Sequence, residues 1–314
     1  MKAFALDGFG EQGSVLDLPD PDPQEGQLRL RVAAAGVNPF DVSVVQGFVK
    51  DAMEHRFPLV PGMDASGTVD AVGEGVEGYA VGDEVFGAVG KPFLGEGTFA
   101  EFVAVSAGTV TRMPSSLDHS VAAAIPTAGV TALNMADALQ LSDGQTVVAV
   151  GATGGVGSYF VQLAARRGAR VVAVCSGGNA EYARSLGAID VIDYSVGDVA
   201  DEVRSRYPDG IDAVADMYGD AEQLSKLTEQ VRSGGHVASI VGAADVDALG
   251  ARGVEATNVQ GRVTTASLDT LVGMIEAGEL VAPEIRTYPL TDVGEALAAL
   301  GTSHVRGKLV VTIE

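Results

Sequence analysis

Seven residues, Gly151-Ala-Thr-Gly-Gly-Val-Gly157, follow a short apolar run at 146–150 and precede a stretch with helical character. Glycines at these positions allow a tight turn, close approach of the backbone to a pyrophosphate, and close packing of a helix on a strand. The N–H groups at the start of such a helix bind phosphate oxygens. Because strand, loop, helix and second strand follow in order, the pattern predicts a dinucleotide site. Its predicted phosphate-binding residues are Gly151, Ala152, Thr153, Gly154, Gly155, Val156 and Gly157.

The second predicted strand, 170–175, is followed by the polar turn Ser176-Gly-Gly-Asn179. Sites that prefer NAD usually have Asp or Glu at this point, which holds the ribose 2′-hydroxyl and repels a 2′-phosphate. No acid is present here, and the side chains of Ser176 and Asn179 can donate hydrogen bonds to phosphate oxygens. The turn therefore favours NADPH as cofactor; the alternative is an ordinary polar turn that binds no ligand.

Potential metal ligands are few. The single cysteine, Cys175, excludes an intramolecular disulfide and a cysteine-based structural zinc site. The four histidines show no spacing typical of a ligand set, and we expect surface or core roles for them; they are His55, His119, His236 and His304. The sequence therefore predicts no metal site.

Strands and helices alternate regularly around the glycine-rich segment. Predicted strands lie at 146–150, 170–175, 191–193, 211–216 and 236–241, and predicted helices at 156–167, 180–186, 199–206 and 221–231. Apolar strands that alternate with helices of this length indicate parallel βαβ units in a doubly wound α/β sheet.

The flanking segments have a different pattern. Residues 1–115 contain short strand candidates separated by glycine turns, and 119–139 is helical in propensity with a break at Pro126. The last part of the chain has predicted helices at 268–277 and 292–300 and a strand at 308–313. Periodicity leaves open which domain this last part joins.

Composition limits the partners. The 314 residues suggest about two domains, and 20 Lys+Arg against 42 Asp+Glu give a formal charge of −22. Such an acidic surface repels nucleic acid and anionic lipid, because both require a cationic binding surface. No residue run is typical of a signal peptide or a membrane span, and one cysteine agrees with a reducing cytoplasm. We expect a cytoplasmic protein with a small-molecule substrate.

Short motifs in a fixed order resemble those of the medium-chain dehydrogenase/reductase superfamily over nearly the whole chain. They are MKAF at 1–4, AGVNPFD at 35–41, PGMDASG at 61–67, VGEGV at 72–76, VGDEVF at 81–86, GTFAE at 97–101, GVTA at 129–132 and HVRGKLV at 304–310. The resemblance implies a GroES-like β-rich catalytic domain at 1–120, a Rossmann NADP(H)-binding domain at 121–265, and a return to the catalytic domain at 266–314. It also implies a homodimer, and a cleft between the domains where substrate and nicotinamide meet.

The resemblance is to the zinc-free quinone oxidoreductases. Zinc alcohol dehydrogenases have Cys-His where this chain has Asn38-Pro39, and Gly-His-Glu where it has Gly62-Met63-Asp64. Without a Lewis acid, an alkoxide is difficult to stabilise. A conjugated acceptor suits such a site better, because hydride addition spreads charge onto an oxygen that hydrogen-bond donors can stabilise.

The resemblance also implies roles for single residues. Asn38, Ser43 and Thr127 become the catalytic candidates, with Asn38 and Thr127 beside the nicotinamide. The remaining cofactor positions are Val241 and Gly242 near the carboxamide, Asn258 and Val259 at the return crossing, and Tyr194 near the adenosine phosphate.

Two departures from the family pattern affect the predicted specificity. Some quinone reductases have tyrosines where this chain has Ser43 and Val49, and many NADPH-dependent relatives have a lysine at the position of Asn179. Phe48 and Tyr218 remain to shape the pocket with Ser43. No general acid is evident: we expect structural roles for Asp41 and Asp64 and a proton supplied by water.

The sequence thus predicts NADPH-dependent reduction of a quinone or a similar conjugated carbonyl. An enoyl or 2-alkenal double-bond reductase is an alternative that uses the same fold and hydride geometry. A nucleotide-binding protein of low turnover is a second alternative, motivated by the missing tyrosines.

Overall fold

The computed structural model describes residues 1–302 and 305–313. The chain forms two compact units. Met1–Val130 and the segment that begins at Val263 make up the first, and Thr131–Arg262 makes up the second. The domain boundaries predicted from the sequence lie after residues 120 and 265.

The elements up to the start of the second unit are mainly short strands. They are β1 (Lys2–Ala5), β2 (Ser14–Asp17), β3 (Gln27–Val37), α1 (Pro39–Val45), β4 (Glu54–Val60), β5 (Asp64–Val72), β6 (Glu84–Ala88), β7 (Phe93–Glu96), β8 (Phe102–Ser106), β9 (Val110–Arg112), α2 (His119–Ala123) and α3 (Pro126–Ala138). Pro126 is the first residue of α3, where its missing N–H costs no helical hydrogen bond. The predicted break at Pro126 is therefore confirmed.

The second unit alternates strands and helices. Its elements are β10 (Thr146–Val150), α4 (Gly155–Arg166), β11 (Arg170–Cys175), α5 (Ala180–Ser185), β12 (Asp190–Asp193), α6 (Val199–Arg206), β13 (Ile211–Asp216), α7 (Ala221–Thr228), β14 (Val231–Ser239), α8 (Val246–Gly250) and β15 (Glu255–Asn258). The six strands form one parallel sheet in the order β12-β11-β10-β13-β14-β15. This is the strand order of a Rossmann fold, and the predicted doubly wound α/β sheet is confirmed.

The last segment returns to the first unit. It contains α9 (Thr265–Glu276), β16 (Ile285–Pro289), α10 (Val293–Gly301) and β17 (Lys308–Thr312). Strand β17 pairs with the end of β3, where Leu309 lies opposite Val37. The result is a seven-stranded sheet in the order β16-β17-β3-β5-β6-β9, with β8 also on β3, and its buried face carries the core residues Leu28, Leu30, Val32, Val69 and Val103.

The predicted boundary between α7 and β14 is wrong. The sequence predicted a helix over 221–231 and a strand over 236–241. Instead α7 ends at Thr228, and Val231 begins β14, where it is buried opposite Ile211. Pairing in the sheet outweighs helical propensity at this position.

Among the described residues, no helix is both long enough and apolar enough to cross a membrane.

Candidate functional site

The second unit places the glycine-rich segment at the carboxyl edge of its parallel sheet. The loop leaves β10 at Gly151, whose φ of 77° lies in the left-handed region that favours glycine. Ala152 N–H donates to Val174 O of the neighbouring β11 at 3.3 Å, which anchors the loop to the sheet. Helix α4 begins at Gly155, after the N-cap residue Gly154, which has no side chain to satisfy the first N–H groups. These groups have no acceptor within the helix and are suited to an anion.

Gly157 is the position where close packing is strictest. A Cβ on Gly157 would lie 2.2 Å from Gly151 O and 2.6 Å from the carbonyl carbon of Ala152, both backbone atoms. The loop and the start of α4, together called the cradle here, can therefore pack this closely only because residue 157 has no side chain, as a pyrophosphate site requires. The Ser158 hydroxyl secures this geometry by donating to Gly154 O at 2.8 Å.

The turn after β11 has an acidic neighbour. Ser176 precedes a 3₁₀ turn over Gly177–Asn179, and Asn179 Nδ2 donates to Thr153 Oγ1 at 3.3 Å, joining this turn to the glycine-rich loop. A Cβ on Gly177 would lie 2.4 Å from Asp193 Oδ2. Hydrogen bonds from Ser195, and a further one from the Gly177 N–H, lower the pKa of Asp193. An ionised carboxylate therefore lies beside the turn predicted to hold the 2′-phosphate.

A cation is also present at this end of β11. Arg184 is exposed on α5, close enough to the Cys175 thiol to lower its pKa, although burial and Asp193 together raise that pKa to about 11. The thiol is thus protonated and unreactive, while Arg184 offers positive charge near the edge where the nucleotide is expected.

The other predicted cofactor residues lie at the same edge. Tyr194 follows β12 and is 45% exposed; Val241 and Gly242 follow β14, with Val241 50% exposed. Asn258 ends β15 and exchanges two hydrogen bonds with the Ala244 backbone, at 3.0 and 3.2 Å. The next residue, Val259, donates its N–H to Ser239 O at 2.8 Å.

Two further residues lie at this edge, one at the end of β13 and one just after it. Tyr218, predicted only to shape the pocket, is 60% exposed. A Cβ added to Gly151 would lie 3.1 Å from the Cβ of Tyr218. Asp216, which the sequence reasoning missed, is buried and accepts hydrogen bonds from Gly219 N–H at 2.6 Å and Ser239 Oγ at 2.8 Å. It holds together the turns that follow β13 and β14.

The first unit contains a buried polar cluster, defined here as Asn38, Asp41, Asp64, Thr127 and Lys308. Lys308 Nζ donates to Val37 O at 2.8 Å and to Asn38 Oδ1, and it lies 3.9 Å from Asp64 Oδ2. Asn38 Nδ2 donates to Asp64 Oδ2 at 3.0 Å, and the Asn38 N–H donates to Asp41 Oδ2 at 2.7 Å. The Asn38 amide is therefore committed to its neighbours on both sides.

Thr127 is the member of the polar cluster that is partly exposed at the surface of this unit. Its hydroxyl donates to Asp64 Oδ1 at 2.6 Å, and its N–H lies 3.2 Å from both carboxylate oxygens. Thr127 is half-buried, whereas Asn38, Asp41, Asp64 and Lys308 are each at most 4% exposed.

Burial dominates the ionisation of the polar cluster. It raises the pKa of Asp41 to about 7, with hydrogen bonds from the backbone and the charge of Lys308 opposing the shift and Asp64 adding to it. Burial also raises the pKa of Asp64 and lowers that of Lys308, while the attraction between these two opposes both shifts. Two carboxylates and one ammonium would carry a net negative charge, so the polar cluster favours holding one further proton.

The remaining predicted residues have other surroundings. Ser43 Oγ donates to Pro39 O at 3.3 Å within α1, and Phe48 is 78% exposed just after that helix. His119 Nδ1 lies 2.7 Å from Ser66 Oγ, and His55 and His236 are half-buried. His304 lies outside the described residues.

The sequence predicts structural roles for Asp41 and Asp64 and does not indicate a role for Lys308. The available signal was a lone lysine at the start of the apolar run Lys308–Thr312, which buries its first four residues. A buried lysine requires an acidic partner, but the sequence does not show which one.

Within residues 1–302 and 305–313, no three His, Cys, Asp or Glu side chains are grouped so that they could hold a metal ion.

Two family models match the chain. Residues 24–115 match the alcohol dehydrogenase GroES-like domain, and residues 186–311 match a model described as zinc-binding dehydrogenase.

Similar proteins cover most of the chain. A mouse protein named NAD(P)H oxidoreductase RTN4IP1, mitochondrial, is 33% identical over 91% of this chain and 82% of its own. An Arabidopsis thaliana protein named NADPH-dependent alkenal/one oxidoreductase, chloroplastic, is also 33% identical, over 99% of this chain and 79% of its own. The solved structure of a quinone oxidoreductase from Coxiella burnetii superposes with a TM-score of 0.91 at 28% identity, covering 100% of this chain and 99% of that one. The chain therefore belongs to the medium-chain dehydrogenase/reductase superfamily and is quinone-oxidoreductase-like.

Proposed function

We propose that the protein is an NADPH-dependent, zinc-independent reductase that transfers hydride to a quinone or a similar conjugated carbonyl. The observation that carries the proposal is the backbone cradle at 151–157, where a Cβ on Gly157 would collide with the loop. Calorimetric titration of the protein with NADPH and NADH tests it directly. Failure to bind either nucleotide would overturn the proposal.

The residues present fit a nicotinamide nucleotide. Gly151–Gly157 would hold the pyrophosphate, Ser176 and Asn179 the ribose phosphate, and Tyr194 the adenosine. Val241, Gly242, Asn258 and Val259 would position the nicotinamide. When bound, the cofactor supplies the hydride, and the protein supplies orientation and hydrogen-bond donors. For the acceptor we propose contacts with Ser43 and Thr127, and we propose that Asn38, whose amide is engaged by Asp64 and Lys308, acts from behind Thr127.

The preference for NADPH over NADH rests on a balance of charges at the turn after β11. Ser176, Asn179 and Arg184 favour a 2′-phosphate, whereas Asp193 opposes it. We propose that the donors and the cation outweigh the single carboxylate.

Replacing Ser176 with Asp adds a second carboxylate where a 2′-phosphate would bind, so the ratio of NADPH to NADH affinity is expected to fall by about tenfold or more. Calorimetry with both nucleotides measures this ratio. The control Ser233→Asp adds the same charge near the amino end of β14 and should leave the ratio unchanged. An equal ratio in Ser176→Asp and wild type would contradict the placement of the phosphate.

Replacing Asp193 with Asn should act in the opposite direction. The oxygen of the new amide side chain can still accept the hydrogen bonds from Ser195, which run at 2.9 Å and 2.7 Å in the wild type. Loss of the negative charge should strengthen NADPH binding several-fold and leave NADH binding nearly unchanged, because only NADPH has the 2′-phosphate. Parallel titrations of the variant measure both affinities, and a stronger effect on NADH would show that Asp193 faces another part of the nucleotide.

A double-bond reductase acting on enones or 2-alkenals is the second candidate, favoured by the alkenal/one oxidoreductase activity for which the Arabidopsis relative is named. Ser43 and Val49 also leave the acceptor side without the tyrosines found in some quinone reductases. Steady-state oxidation of NADPH with a quinone and with an enone separates the two activities. Tight binding without oxidation by either acceptor would support a nucleotide-binding protein of low turnover.

We further propose a cytoplasmic homodimer with a small-molecule substrate and no nucleic-acid partner. The net charge of −22 disfavours polyanions. Strand β15 is the last strand of its sheet and offers an edge for pairing with a second copy. Sedimentation at micromolar concentration tests the oligomeric state.

A further inference from the structure

We propose that Thr127 delivers the proton to the reduced acceptor and that Asp64 resupplies it, with Asn38, Lys308 and Asp41 as positioning residues. This inference rests on the proposed reductase function. It assigns a proton donor to a reaction for which the sequence pointed only to water.

The geometry provides a continuous hydrogen-bonded path. Thr127 Oγ1 and Asp64 Oδ1 are 2.6 Å apart, a short distance for an O–H···O bond. Thr127 is half-buried, while Asp64 is fully buried behind it. A proton held on Asp64 can therefore reach the surface of this unit through the Thr127 hydroxyl.

The orientation of Asp64 is determined by its other partners. Its second oxygen accepts from Asn38 Nδ2 at 3.0 Å, and the Asn38 Oδ1 accepts from Lys308 Nζ. Because both ends of the Asn38 amide are engaged, the amide cannot flip, and Asp64 Oδ1 stays directed at Thr127. Asn38 and Lys308 thus act through Asp64.

The charges that face Asp64 come from two elements, α1 and β17. Asp41 on α1 is fully buried, and its Oδ1 atom has no hydrogen-bond partner. Lys308 on β17 lies 3.9 Å from Asp64. One ammonium balances only one of the two carboxylates, and the second carboxyl group is more stable with a proton. Burial raises the pKa of both Asp41 and Asp64, which also favours a bound proton.

The proposed step balances in atoms and charge. Hydride addition leaves a negative charge on the acceptor oxygen. When Asp64 Oδ1 carries the proton, it donates to Thr127 Oγ1, the reverse of the direction that holds for the ionised carboxylate, and the Thr127 hydroxyl hydrogen turns to the acceptor. The Thr127 O–H bond then breaks as a new O–H bond forms on the acceptor oxygen, and the Asp64 carboxyl proton moves to Thr127 Oγ1. Asp64 is left as a carboxylate paired with Lys308 and Asn38, and a proton from solvent restores it.

Enone reduction by Thr127→Val tests the path, because valine has the same shape but no hydroxyl. The turnover number kcat at saturating NADPH is expected to fall about 100-fold, a typical contribution of a general acid. Thr127→Ser should restore most of the activity. Thr131→Val, one turn later on α3, is the matched control.

The pH dependence supplies a readout that a structural role would not change. In wild type, kcat should fall as pH rises through the elevated pKa of Asp64, and a solvent deuterium isotope effect should be present. In Asp64→Asn, kcat should be low and independent of pH. Unchanged pH profiles in Thr127→Val and Asp64→Asn, with turnover near that of wild type, would overturn the proton path and leave the reductase function intact.

Infrared spectroscopy tests the same inference without cofactor or turnover. The protonated-carboxyl band near neutral pH should lose its Asp64 component in Asp64→Asn, where only Asp41 contributes, and the Asp64 component should shift in Thr127→Val, because the hydroxyl bonds to that carboxyl group. If the band is the same in Asp64→Asn as in wild type and is insensitive to Thr127→Val, Asp64 is not the proton source. Loss of NADPH binding in the wild type would instead refute the proposed function.

Discussion

Replacing Lys308 with Met is expected to lower the free energy of unfolding at pH 8 by about 3–5 kcal/mol, the usual effect of removing one partner from a buried ion pair. The ammonium is 4% exposed and faces two buried carboxyl groups. Methionine fills a similar volume, but Val37 O and Asn38 Oδ1 each lose a donor. Asp41 and Asp64 then have no compensating charge.

The loss of stability caused by Lys308→Met should become larger as pH rises. Because burial raises the pKa of Asp41 to about 7, the folded protein binds a proton more tightly than the unfolded chain. Stability therefore falls as pH rises from about 4, near the ordinary carboxyl value, through about 7. Loss of Lys308 raises both carboxyl pKa values further, so the fall with pH becomes steeper. Lys308→Met should be least harmful below about pH 5, where Asp41 and Asp64 are protonated.

Urea denaturation at pH 5 and pH 8 measures this difference. Lys226→Met is the matched control, because Lys226 forms an exposed ion pair with Glu222 at 2.8 Å on α7. Surface pairs of this kind contribute less than about 1 kcal/mol. Equal losses in the two variants, or the same loss for Lys308→Met at both pH values, would show that Lys308 does not compensate the buried carboxylates.

Replacing Gly157 with Ala should weaken NADPH binding by at least about 100-fold, equivalent to about 3 kcal/mol. The added methyl would lie 2.2 Å from Gly151 O and 2.6 Å from the carbonyl carbon of Ala152. Both are backbone atoms, and neither can rotate away as a flexible side chain would. The loop must therefore move off α4, and the N–H groups no longer converge on one phosphate.

Calorimetric titration with NADPH, together with a thermal melt of each variant, tests this prediction. Gly250→Ala in α8 is the control in the same unit, because a Cβ there would meet no atom within 4 Å. It should bind NADPH as the wild type does and be no less stable, since Ala favours a helix over Gly. Wild-type affinity in a folded Gly157→Ala protein would contradict the assigned cradle.

The second unit was largely predictable from the sequence because its signals are local. Apolar strands, helical spacing and glycines of required conformation lie within a few residues of one another, and β10, β11, β13 and α6 have the predicted bounds. The loop at 151–157 has the predicted strand-to-helix setting for the same reason. At α7 the local signal failed, because the burial of Val231 against Ile211 depends on sheet pairing.

The surroundings of Ser176 required the tertiary structure. Asp193 lies beside that turn because parallel pairing of β11 with β12 sets Cys175 opposite Asp193. No local pattern specifies that register, and a charge that opposes the predicted phosphate contact was therefore missed.

The glycine-rich loop and the alternating elements could be read from the chain alone, because each depends on residue type and short spacing. The polar cluster could not. Lys308 and Asn38 are 270 positions apart and meet only because β17 pairs with β3. Proximity and burial together decide how these groups share protons, and both arise only when the chain has folded.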